Sequence, residues 1–179
     1  MHHYVSETYV DAYHKLNEAC AWLDTLGIEY SKTRVGRYER IFCALAKHQQ
    51  AGTLDSFYEE HSFEAWVNAA HEVSELVRIY EGLDGQINPL LNERLKDSLK
   101  GKELYMLDSE NRSGRDFSFE LVMAAKFSRA GLTVDFGHEA DLRVLINGST
   151  FFVECKRLKS EKRLRQELKM VSASFTGGM

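Results

Sequence analysis

Asn147-Gly148 is the pair of residues that most constrains what this chain can fold into. A two-residue type I′ turn needs positive φ at both central positions, and Asn followed by Gly meets that need. The residues on either side alternate in the way half-buried strands do. With Asn147 and Gly148 at the turn, Ile146 faces Ser149, and the pairing continues outward until Asp141 stands opposite Glu154. Opposed Cβ atoms in such a ladder lie about 5 Å apart. The alternation predicts one buried face of Leu142, Val144, Ile146, Phe151, Val153 and Cys155. The other face carries Asp141, Arg143, Thr150, Phe152, Glu154 and Lys156. Two carboxylates opposed on one face repel each other. Lys156 or a divalent metal would relieve that repulsion, since hard cations take carboxylate oxygens.

An Asp, then a hairpin, then Glu-x-Lys at the end of the second strand resembles the PD-(D/E)xK nuclease superfamily, which includes restriction endonucleases and Holliday-junction resolvases. The resemblance covers about residues 112–172. It falls on Asp141, Glu154 and Lys156, with Glu120 on the preceding helix in place of the further acid many members carry. Ala140 stands where many members have Pro. The resemblance implies an α/β (α+β) fold, a restriction-endonuclease-like core with a mixed β-sheet flanked by helices. It implies a divalent-metal-dependent DNA endonuclease hydrolysing phosphodiester bonds, in restriction, phage defence or DNA processing. Asp141 and Glu154 would hold Mg²⁺ or Mn²⁺ together with the backbone carbonyl of Cys155. Glu120 would act through a metal-bound water, and Lys156 would orient or help deprotonate the attacking water. Members usually continue from the next helix into a fourth strand, whereas this chain reaches Phe175-Thr-Gly-Gly-Met179. The expectation is therefore a core truncated at its C-terminus, its sheet edge covered by the N-terminal region or by a second chain.

The residues leave other readings open. Glu139 opposes Lys156 in the same register, so an ion pair could account for that lysine. Glu120 borders an apolar stripe, where a carboxylate needs a partner, and a salt bridge would supply one. The alternative function is a non-catalytic nucleic-acid-binding or assembly module that keeps the fold. A further one is a helical interaction protein whose C-terminal part is only a scaffold.

Charge is uneven along the chain. Residues 1–100 carry 10 Lys and Arg against 16 Asp and Glu, a net of −6, while residues 101–179 carry 13 against 11, a net of +2. Nucleic-acid binding is thus expected only in the C-terminal part. There Arg157, Lys159, Lys162, Arg165, Gln166 and Lys169 follow the hairpin, on a stretch with Leu164, Leu168 and Val171 as its inward stripe. Three cysteines without Cys-x-x-Cys spacing suggest neither a disulfide framework nor a zinc site and fit a reducing cytoplasm. No apolar run is long enough for a membrane span, so no membrane partner is expected. The expected partner is DNA, with RNA left open by the sequence.

Before residue 102 the pattern is helical. Stripes at three- and four-residue steps predict helices over 6–26, 33–50, 62–80 and 88–99, with a helical turn over 54–60. On the fourth, Phe63, Trp66, Val67, Ala70, Val73, Val77 and Tyr80 are expected to face inward. Asn88-Pro89 is a helix start. The division is a helical region over 1–101 and a nuclease-like core over 102–179. A homodimer or larger complex would form through the N-terminal helices. Leu104 to Leu107 reads as a short strand, Ser113 as the cap of a helix that runs to Ala130, and Leu132 to Phe136 as the first strand of the sheet.

Overall fold

A computed structural model describes residues 8–86, 88–102, 114–137 and 140–156. Strand 104–107, the Ser113 cap, His138, Glu139 and the basic stretch after Lys156 lie outside them. Among the described residues five helices precede residue 102: α1 (Tyr9–Thr25), α2 (Arg34–Ala51), α3 (Leu54–Glu60), α4 (Phe63–Leu83) and α5 (Pro89–Ser98). Then come α6 (Gly114–Arg129) and the strands β1 (Thr133–Phe136), β2 (Leu142–Ile146) and β3 (Ser149–Val153). The fold is mixed α+β and mostly helical.

Local chemistry sets the helix ends. Thr8 and Asp11 form a reciprocal capping box on α1. The side chains of Thr33 and Ser62 each accept an orphan N–H at the starts of α2 and α4. Asn88 Oδ1 accepts from Leu90 N at 2.9 Å with Pro89 next in line, as the sequence predicts. Residues 54–60 make a complete short helix rather than one turn.

A single cluster of buried side chains runs from Leu16 on α1 to Val144 on β2. Each fully buried Leu, Ile or Phe contributes about 1.5–3 kcal/mol relative to exposure. Helix α4 packs on α1 and α2 and also on α6, so two of its faces are covered. This corrects the expected stripe at Phe63 and Val67, while Val73 is sealed and Trp66, Ala70, Val77 and Tyr80 are partly buried against the core. The residues sealed on α4 are Ala69, Val73, Leu76, Ile79 and Leu83, whereas Phe63 is 74% exposed and Val67 41%. The helix carries two interleaved apolar stripes, and packing from both sides selects a face rotated from the one the aromatic residues mark. Gly82 allows the close approach of α4 to α6, since a Cβ there would lie 2.6 Å from Ala125 Cβ.

Charged groups are buried in the same body. Glu72 on α4 receives Arg34 Nε from α2 at 3.0 Å and an ion pair from Arg115 Nε on α6. Arg34 Nη2 also donates to Ser118 Oγ at 3.2 Å and its Nη1 to the Lys100 carbonyl. Burial is affordable only because each charge is partnered. The network fixes α6 against the helical body, and α6 in turn packs on β1 and β2.

The sheet order is β1-β2-β3, and both pairings are antiparallel. Among the described residues the sheet is thus not of the mixed kind expected, and no helix of the N-terminal region pairs with its edges. Leu142 and Val144 are sealed beneath α6, as the alternation predicts. Phe151 was expected in the same face but stays 50% exposed, because it sits near the turn on the outer strand.

Candidate active site

The turn is as the sequence dictates, with Asn147 at φ 49 and Gly148 at φ 79. The register runs from Ile146↔Ser149 to Leu142↔Val153. Asp141 and Glu154 occupy the next position outward, just past the ends of the strands. Asp141 Oδ2 accepts the Cys155 backbone N–H at 2.8 Å. The Asp141 carboxylate is thereby drawn across the base of the hairpin onto the Glu-x-Lys segment. It is 8% exposed despite its charge.

Glu154 and Lys156 lie on the open side of this base. Their side chains are 55% and 60% exposed, and Lys156 Nζ is 3.6 Å from Glu154 Oε2. The two residues therefore share a face, as period two requires. The competing pair, Lys156 with Glu139, falls outside the described residues.

Glu120 projects from α6 and is 1% exposed. Its Oε2 takes Arg94 Nη1 from α5 at 2.8 Å, and the Arg94 guanidinium also sits 5.5 Å from the Phe117 ring centroid. The salt bridge foreseen for Glu120 is present. Its charge nevertheless reaches the hairpin base. Burial pushes the Cys155 thiol up to about 12, and the carboxylates of Asp141, Glu120 and Glu154 add to that rise while Lys156 opposes it. Three acids and one lysine from the predicted site thus share one electrostatic neighbourhood around Cys155.

The donor set suits a hard cation in part. Asp141, Glu154 and the Cys155 carbonyl offer oxygens of the kind Mg²⁺ takes, with waters filling the remaining positions. No group of three or more His, Cys, Asp or Glu side chains among the described residues is arranged to hold a metal. Glu120 is held by Arg94, so a role through water suits it better than direct ligation.

Two features are absent from the sequence reading. Arg94 pairs with a residue 26 positions away, which no local pattern marks. On β1, Asp135 Oδ1 accepts Asn88 Nδ2 at 2.8 Å, and its other oxygen pairs with Arg143 of the opposed strand. The Asp135–Arg143 pairing could have been read from strand register, since the two stand opposite each other. The basic residues Arg157, Lys159, Lys162, Arg165, Gln166 and Lys169 lie beyond the described residues. No described helix is long and apolar enough to cross a membrane. Comparisons with protein-family models, with curated proteins and with solved structures find no match for the chain.

Proposed function

We propose that this chain is a divalent-metal-dependent nuclease acting on DNA phosphodiester bonds, with a restriction-endonuclease-like core. The observation that carries the reading is the Asp141 carboxylate bound to the Cys155 amide, next to Glu154 and Lys156 and within electrostatic reach of Glu120. The resemblance to the PD-(D/E)xK superfamily implies that these acids act together. Asp141, Glu154 and the Cys155 carbonyl would hold Mg²⁺ or Mn²⁺. The metal, when bound, polarises a phosphoryl oxygen and lowers the pKa of a water. Lys156, exposed and on the open side, orients that water and offsets charge as it builds on the phosphate. Glu120 orders water at the inner side of the site. The cations after Lys156 contact the DNA backbone, and a reducing cytoplasm suits three free cysteines.

The test has two arms. Mg²⁺ or Mn²⁺ should raise the melting temperature of the wild type by mass action on the folded state, and Asp141→Ala should abolish the rise. Plasmid, linear and branched DNA should be cleaved with either metal and not with EDTA. An equal thermal rise in both proteins would refute the metal site. Binding of DNA without metal-dependent cleavage would leave the non-catalytic module as the function.

A further inference from the structure

Large apolar side chains are exposed at two places, the outer part of the hairpin and the junction of α3 with α4. The second forms one continuous patch. Trp66 is its centre, with Tyr9 and Tyr58 edge-on to it at centroid distances of 6.5 and 6.0 Å and Phe63 tilted against it at 5.5 Å. Phe63 is the most exposed large apolar side chain among the described residues, and Val67 lies one turn further along α4. The ring of Trp66 is only partly covered, and among the described residues its Nε1–H is shielded from water and has no acceptor. An indole N–H in that position normally finds a partner, at a cost of about 1–3 kcal/mol when it does not. What the patch presents to a partner is its exposed apolar surface, chiefly Phe63, Tyr58 and Val67.

The charge around it says what kind. Asp55, Glu59, Glu60 and Glu64 are exposed at its rim, and no ion pair to any of them occurs among the described residues. From residue 48 to residue 77 the chain has no Lys or Arg at all. Four carboxylates repel a phosphate backbone, so DNA is not the occupant. A cationic amphipathic segment fits, with aliphatic side chains for the exposed rings and cations for the acidic rim. The most cationic such stretch of the chain follows the hairpin. Residues 157–170 hold six Lys and Arg against two Glu, with Leu158, Leu164, Leu168 and Met170 among them.

We propose that the aromatic face of α3 and α4 docks residues 157–170 of a second copy of this chain. Exchange of the same segment in both directions makes the contact closed and two-fold, the commonest form of homo-oligomer. The charges set the pairing and the aromatic centre anchors it. This contact draws on the same cations that the nuclease reading gives to the DNA backbone, so the two would compete for them, but its readout is mass rather than cleavage.

Sedimentation equilibrium of the full chain at micromolar concentration tests it. A dimer is expected, weakened by salt because its rim is ionic. Glu60→Lys/Glu64→Lys should raise its dissociation constant by about tenfold or more, and adding Lys162→Glu/Arg163→Glu to that variant should restore it. Phe63→Ser/Val67→Ser should also weaken the dimer while leaving the circular dichroism spectrum unchanged, since both side chains are exposed. A monomer at every concentration overturns the proposal. So does a dimer indifferent to the face variants, or a charge swap that fails to restore association.

Discussion

At the centre of the helical body Glu72 accepts from Arg34 and Arg115, and all three side chains are shut off from water. At the hairpin base Glu154 and Lys156 stand 3.6 Å apart with more than half of each side chain exposed. Both are carboxylate–cation pairs, but the buried one uses guanidinium groups at hydrogen-bond distance and the exposed one a looser ammonium, and the consequences differ. Buried charges are committed to one another, because removal of one strands the rest in a low dielectric. Exposed charges gain little from pairing and keep most of their hydration. They remain available to a metal, a water or a phosphate. Asp141 and Glu120 lie between these limits, since both are buried and partnered yet electrostatically felt at Cys155.

The contrast can be broken most directly at Glu72. Glu72→Ala should cost about 3–5 kcal/mol, as two buried guanidinium groups lose their shared carboxylate. Urea denaturation measures it, and a loss below about 1 kcal/mol would remove the distinction between the two regions. Next in size is Arg94→Met, which should cost about 2 kcal/mol by leaving Glu120 buried without its guanidinium. Adding Glu120→Gln should recover part of the loss, and the double-mutant cycle gives the coupling. Asp141→Ala should cost about 1–2 kcal/mol through the Cys155 amide it leaves without an acceptor. Lys156→Ala should change stability by less than about 0.5 kcal/mol while cleavage falls by orders of magnitude. If stability falls and cleavage survives, the lysine is a structural partner.

A pH dependence sharpens the comparison at the site. The Cys155 thiol is neutral in the fold and is pushed up to about 12, first by burial and then by Asp141. A group whose native value is raised stabilises fully below its ordinary value and less as pH climbs toward the raised one. Stability should therefore decline from pH 9.0 toward about 12. Cys155→Ser should flatten that decline, as followed by thermal melts, and an unchanged slope would place the loss at Tyr38 or Cys20, which burial also pushes up to about 12.

The parts legible in the sequence were those fixed locally. Asn147-Gly148 carries its own φ requirement, so turn, register and the approach of Asp141 to residues 154–156 followed from one dipeptide. Asn88-Pro89 and Ser62 announced helix starts for the same reason. What failed depended on distant neighbours. The face of α4 could not be chosen from its own residues, because α1, α2 and α6 together decide which stripe is covered. Phe151 alternated correctly and still emerged half exposed, since strand period says nothing of what lies over an outer strand. Glu72 and Arg115 gave no sign of each other, and Glu120 gave a demand for a partner without naming Arg94.

The Glu72 network also bears on the order in which the chain assembles. Its two ion pairs join residues 38 and 43 positions apart, whereas the hairpin closes around two turn residues. Local hairpins form in about 1–10 μs, and contacts of long sequence separation wait for loop closure. Glu72, Arg34 and Arg115 can lock only after α2, α4 and α6 have been gathered. The carboxylate then belongs to the last stage of folding, and Glu72→Ala should speed unfolding far more than it slows folding. The charges that hold α6 in place act as a latch on a structure already assembled.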